Sequence, residues 1–328
     1  FHDFDLDGTI DLYVANGAVQ AWREDERFSK EDAYAEPNHL FRGGYHETRP
    51  WLLQLGSIIV QDRGIVTFVH MLAVDVEGHA MTWRRLRREL DEQIHDKYPN
   101  VFSRVDVVDD KYRAAVQIAQ AYGVGSLEAN TIMLGWPRQE SHREGYVRML
   151  RELSVLERSL LIVSHNPLRK LSSARRDRRI DIWWGGLQGN GGLMLLVAYL
   201  ITAHHNWTGA KVTIRTVVDR EEDRLGAVEA IEGVLRNARV LAQPVVLLRE
   251  GRAIADIMHA ESRDADLAIA GLRLPRAGVA VNPFFERMNN ILHDLPTTIL
   301  VHSARGFESE SVLFDEGASS PKAEEAAQ

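Results

Sequence analysis

The chain of 328 residues contains no cysteine. That excludes disulfides, thiolate metal centres and cysteine nucleophiles together, and it fits a reducing compartment. Long apolar runs are missing as well. The longest, Leu193 to Ile201, falls far short of the roughly 20 residues a membrane-spanning helix needs, so no segment is expected to cross a bilayer. There is no surplus of basic charge: the formal net charge is −8, which argues against general nucleic-acid binding. The start, which is Phe1 rather than Met, has neither the basic nor the apolar region of a secretory signal. What remains is ordinary globular composition, 45% hydrophobic and 26% charged. It is enough chain for about two domains of roughly 150 residues each.

The signatures of common catalysts are also absent. There is no Gly-x-Ser-x-Gly elbow, no His-Glu-x-x-His helix and no Gly-x-x-x-x-Gly-Lys-Ser/Thr phosphate loop. The 13 histidines are scattered. The adjacent pair His204-His205 falls at the end of a predicted helix, where successive side chains diverge and an imidazole complements the helix dipole better than it chelates. The best phosphate-loop candidate is Gly185-Gly186-Leu187-Gln188-Gly189-Asn190-Gly191-Gly192, between a strand and a helix. A dinucleotide fingerprint begun at Gly189 needs glycine where Met194 stands. Asp219, the acid that would meet a ribose, lies about 30 residues on instead of roughly 20. A tight turn and close helix packing explain these glycines more simply, with nucleotide binding kept as the alternative.

Acidity is concentrated at the start. Residues 1–44 hold ten carboxylates against four basic side chains, a net −6 of the chain's −8. Asp3, Asp5, Asp7 and Asp11 alternate with other residues around Gly8, so their oxygens can surround one hard cation. An EF-hand counted from Asp3 needs Glu where Val14 stands, so that reading fails. Asp-x-Asp-x-Asp-Gly-x-x-Asp followed by Leu12-Tyr13-Val14-Ala15-Asn16-Gly17 resembles the calcium loop of FG-GAP (VCBS-type) propeller repeats. The resemblance implies Ca²⁺ at those four aspartates. It covers residues 1–45, less than one blade, and a lone repeat cannot bury its own face.

From Arg49 onward, short β-branched runs alternate with helical periods. Strands are expected at 64–72, 101–108, 131–134, 160–164, 180–184, 211–218, 240–248, 267–270 and 297–301. Helices are expected at 49–61, 80–97, 111–122, 142–156, 192–205, 220–237, 252–262 and 283–293. That alternation is the pattern of β-α-β units in a parallel sheet, and all-apolar runs such as Leu160-Leu161-Ile162-Val163 fit strands covered on both faces. The order occurs twice. Glu128-Ala129-Asn130-Thr131 leads through a strand to Gly135 and Pro137, and Asp264-Ala265-Asp266-Leu267 leads to Gly271 and Pro275. The second half opens on a full first strand, whereas the first half has the acidic head in that place. The expected architecture is therefore α/β, with two tandem subdomains at 46–165 and 180–302. The first is expected to lack its first strand, and a short irregular head precedes it. Residues 166–179 form a basic linker carrying Arg169, Lys170, Arg175, Arg176, Arg178 and Arg179, suited either to solvent or to an anionic lipid face. Residues 303–328 read as a disordered acidic tail.

One block is more specific. Ile180-Asp181-Ile182-Trp183-Trp184, then Gly191-Gly192-Leu193-Met194-Leu195-Leu196, then Trp207 and Lys211-Val212-Thr213-Ile214-Arg215, resembles the cytosolic C-terminal domain of cation-chloride cotransporters. Asn130 to Gly135, Asp266 to Gly271 and Leu295 to Val301 extend the resemblance over residues 49–301. It implies subdomains similar to universal stress proteins, each a mostly parallel sheet flanked by helices. It further implies a homodimer at the inner face of the membrane, attached to the transmembrane domain of a parent that moves Cl⁻ with Na⁺ or K⁺. The domain itself would be regulatory and non-enzymatic, with no cofactor in the α/β body. Two rivals are a nucleotide-binding stress-like protein and a calcium-binding FG-GAP-type protein. The stress-protein nucleotide loop is not found after Gly271, where Pro275 and Arg276 intervene.

Overall fold

The computed structural model describes residues 12–16, 19–24, 50–60, 65–72, 76–98, 101–124, 127–137, 139–166, 177–185, 189–237 and 240–304. The first half comprises β1 (Leu12–Asn16), β2 (Val19–Glu24), α1 (Pro50–Val60), β3 (Ile65–Leu72), α2 (Val76–Lys97), β4 (Val101–Val107) and α3 (Lys111–Ala121). It continues through the two-residue strands β5 (Gly123–Val124) and β6 (Leu127–Glu128) to β7 (Thr131–Gly135), α4 (Arg143–Val155) and β8 (Ser159–Ser164). The second half runs β9 (Arg179–Trp183), α5 (Gly191–Ala203), β10 (Lys211–Val218), α6 (Asp223–Asn237) and β11 (Ala242–Leu248). It ends with α7 (Ile254–Glu261), β12 (Leu267–Gly271), α8 (Asn282–Leu292) and β13 (Thr297–His302).

The expected helices and strands recur within a few residues of their predicted bounds. Each follows from local chemistry. Asp110 caps α3 by accepting the Arg113 amide at 2.9 Å. Helix α5 is apolar almost all round and accordingly is buried along most of its length. Proline opens α8, where its missing N–H costs nothing, and Phe284 and Phe285 form its buried face.

Strands β9 to β13 are parallel and lie in the order β11-β10-β9-β12-β13. The first half presents the same arrangement from the other edge, as β4-β3, then β2 and β1, then β7-β8. Two points differ from the expectation. The halves do not hold separate sheets: β8 pairs antiparallel with β13, from Thr298 opposite Ser164 to His302 opposite Leu160, and an 11-stranded sheet results. The outer strands of both halves are apolar on both faces, so pairing them satisfies backbone groups that a free edge would expose. Nor is the first-strand slot of half one empty. Strands β1 and β2 of the acidic head lie there, β1 antiparallel and β2 parallel to β3 and β7. The expectation of an irregular head before a half lacking that strand is corrected accordingly, because an open slot would leave two ladders unpaired.

The internal echo is a structural repeat. Ala129 and Ala265 are both buried. Gly135 lies opposite Val163 as Gly271 lies opposite Val301. The amides just beyond, at Trp136 and Leu272, donate to those same valine carbonyls. Each face of the sheet carries one core spanning both halves. Leu52, Phe68, Met133, Ile180 and Leu195 share one, and Val69, Tyr146, Trp183, Phe285 and Leu300 share the other.

After β11 the chain turns through Glu250 and Gly251 at φ of 49° and 74°, closed by the Arg252 amide on the Arg249 carbonyl. Two successive positive φ values define a type I′ turn, which glycine or asparagine tolerates better than glutamate. Glu250→Gly is expected to raise unfolding free energy by about 0.5–1 kcal/mol, read by urea denaturation.

Candidate functional site

In an open α/β sheet the crevice for a ligand lies beyond the carboxyl ends of the strands, where the order reverses. In the second half that point falls between β9 and β12, under the glycine bend. Its described part is filled by side chains. Asn190 donates from Nδ2 to the Leu272 carbonyl at 3.2 Å and accepts the Ser303 amide at 2.8 Å. A Cβ on Gly271 would stand 3.2 Å from that Nδ2, and one on Gly191 would collide with the Trp184 ring. Close packing thus requires glycine at 191, and at 271 leaves a Cβ only a tight fit against Asn190. Gly186, Leu187 and Gln188 lie outside the described residues.

The opposite end of β9 and β10 carries a polar network. Burial pushes the Asp181 carboxyl above its ordinary range, while Arg215 and the hydroxyl of Ser262 draw it back. Arg215 Nε lies 3.1 Å from Asp181 Oδ2, and Ser262 Oγ donates to the same oxygen at 2.8 Å. Trp183 Nε1 in turn donates to Ser262 Oγ at 2.9 Å. Arg215 also pairs with Glu261 Oε2 at 2.7 Å, tying β9 and β10 to the end of α7. Alternation places Asp181 and Trp183 on one face of β9, with Ile180 and Ile182 on the other. Sequence reasoning singled out the Asp-x-Trp-Trp run without seeing this network. The available signal was a carboxylate inside an otherwise apolar strand, which demands a partner.

A third cluster welds the halves. Trp136 from the end of β7 packs on Phe285 of α8, ring centres 5.0 Å apart, and donates to Asn289 Oδ1 at 2.8 Å. Arg151 of α4 donates to the carbonyls of Pro275 and Arg276, each at 2.7 Å. The buried Arg143 reaches Asn282 Oδ1 at 3.3 Å and stacks over Phe285.

The aspartates Asp3, Asp5, Asp7 and Asp11 lie outside the described residues, as do Arg169, Lys170, Arg175 and Arg176 of the basic stretch. Among the described residues no group of three or more His, Cys, Asp or Glu is placed to hold a metal. The last two arginines of that stretch belong to the fold. Arg179 opens β9, and Arg178 is buried with its guanidinium 4.2 Å above the Trp207 ring. Arg178 is therefore removed from the surface on which a lipid contact was expected. His204 terminates α5 and accepts the Asn206 amide through Nδ1. Among the described residues no helix is long and apolar enough to cross a membrane.

Residues 158–255, which include Asp181 and Arg215, the Trp-Trp run and the Gly-Gly-Leu block but not Glu261 or Ser262, match the family described as solute carrier family 12. Over 108 residues the chain is 30% identical to the potassium/chloride cotransporter 3 of Caenorhabditis elegans, covering 32% of this chain and 10% of that protein. The likeness is to cation-chloride cotransporters. The chain therefore corresponds to about a tenth of that relative's length. In fold it is similar to the crystal structure of the cytoplasmic domain of a prokaryotic cation chloride cotransporter. There the TM-score is 0.51 and the identity 16%, covering 74% of this chain and 86% of that one. A universal stress protein from Archaeoglobus fulgidus aligns at a TM-score of 0.49 and 12% identity, over 77% of this chain and 92% of that one. The α/β fold, a mostly parallel sheet flanked by helices, is thus shared with a cotransporter's cytoplasmic domain.

Proposed function

We propose that this chain is a cytoplasmic, non-enzymatic domain of a cation-chloride cotransporter-like protein, which organises and regulates a transmembrane parent and pairs with a second copy. The observation that carries this reading is the match over residues 158–255, because that stretch is also where much of the second half of the fold is built. Asp181, Trp183 and Gly191 are each explained there by packing and pairing. Helix α5 is buried against the sheet and α1, not spent on a substrate pocket. Two halves joined through one sheet and two shared cores form a stiff body, suited to transmitting contacts between a membrane part and a partner copy. Such a body alters transport only through contacts that differ between transporter states. Chloride movement with Na⁺ or K⁺ belongs to the transmembrane part of the parent, with this domain at the inner membrane face.

The nucleotide alternative is not favoured, since Asn190 and Trp184 occupy the described part of the bend. The test is to graft the full chain onto the transmembrane part of a cation-chloride cotransporter in place of its own cytoplasmic domain. Chloride-dependent cation uptake well above that of the truncated transporter is expected; uptake equal to the truncated form overturns the reading. Sedimentation equilibrium of the full chain separately tests pairing, with a dimer expected and a monomer at all concentrations refuting that part.

A further inference from the structure

At the amino-terminal ends of β9, β10 and β11, away from the glycine bend, lies an open cavity of about 510 Å³. That is the size of a small-molecule site. Its walls are separated by charge. Arg179 and Lys211 stand side by side at the starts of β9 and β10, directly in register, both exposed. Neither side chain has an ion-pair partner among the described residues. Facing them are Glu261 at the end of α7 and Asp264 in the turn before β12. The floor is Asp181, which is 3% exposed, with Thr213 beside it. Ser262 and Arg215 both engage Asp181 Oδ2, and Oδ1 has no hydrogen-bond partner among the described residues.

Oδ1 is thus left open to a donor arriving from the cavity. A purely anionic guest would bring its charge against Asp181, Glu261 and Asp264. A purely cationic guest would meet Arg179, Lys211 and Arg215. A molecule with one charge of each sign satisfies both walls at once. We propose that this cavity binds a small zwitterion, its ammonium held by Asp181, Glu261 and Asp264 and its carboxylate by Arg179 and Lys211. An ammonium beside Asp181 also offsets the burial that disfavours its ionised form.

The test is calorimetric titration of the full chain with β-alanine, propionate and propylamine. Saturable binding of β-alanine is expected, with propionate and propylamine weaker by roughly tenfold or more. Lys211→Glu, on the exposed lip, is expected to weaken β-alanine by about the same factor while leaving the melting temperature unchanged. Thr213→Val supplies a second, nearly isosteric variant within the cavity, for which a smaller loss is expected. Propionate binding as tightly as β-alanine, binding indifferent to Lys211→Glu, or no saturable heat with any of the three overturns the proposal.

Discussion

Replacing Arg215 by methionine is expected to lower the unfolding free energy by about 3–5 kcal/mol at neutral pH, because it strips a buried carboxylate of its counter-charge. Asp181 is the group left behind, with only Ser262 donating to it. Glu261 loses the same partner, but it is partly exposed and water takes over most of that role. The pH dependence distinguishes this explanation from simple loss of packing. The folded-state pKa of Asp181 already lies above its ordinary value, with burial the largest cause. Between the unfolded and folded pKa values the folded chain holds the extra proton, so stability from this group is fullest in acid and declines as pH rises through the folded value. Removing Arg215 raises that folded value further. The penalty of Arg215→Met is therefore expected to shrink on acidification, and Arg215→Met with Asp181→Asn is expected to recover much of the loss. Urea denaturation across a pH series checks both. A penalty equal at every pH would show that Arg215 acts through its hydrocarbon stem alone.

A comparable effect is expected from Phe285→Ala, at about 3–5 kcal/mol for emptying a fully buried aromatic site. Phe285 touches Trp136 and Phe284 and lies beneath the Arg143 guanidinium, so the vacated volume cannot be refilled by one rotamer change. The more telling result is the form of the transition. Phe285 belongs to the second half and Trp136 to the first, yet both lie in one core. The unmodified chain is therefore expected to unfold in a single step, with tryptophan fluorescence and far-ultraviolet circular dichroism coinciding. Two separated transitions would mean that the β8–β13 seam is weaker than either half. Phe102→Ala, on the exposed side of edge strand β4, provides the control, with a change expected within about 0.5 kcal/mol.

Much of this architecture was legible because each element advertises its environment. The uninterrupted apolar run at Leu160 to Val163 announces a strand covered on both faces, and Pro283 at the head of a helical period marks a helix start. The repeat was visible in the six-residue step from Ala129 to Gly135 and from Ala265 to Gly271. Those alanines are buried, and the chain just beyond each glycine bonds its neighbouring strand in the same way. The candidate sites were less legible. Arg178 looked like one more solvated charge of a basic run, and nothing near it in the chain reveals Trp207 as the ring it stacks on. Asp181 was noticed as a motif letter, but its partners Arg215 and Ser262 lie on other elements.

Local sequence determined the kind and order of the elements, the twofold repetition and the packing role of the glycine at 191. These depend on periodicity, caps and side-chain size, which act over a few residues. Only the tertiary structure decided that the halves share one sheet through β8 and β13, that head strands lie in the first-strand slot, and that opposite charges face each other across a cavity beneath β9 and β10. Strand edges and charged side chains choose partners by distance in space, and residues separated by tens of positions or more carry no local mark of the neighbour that will satisfy them.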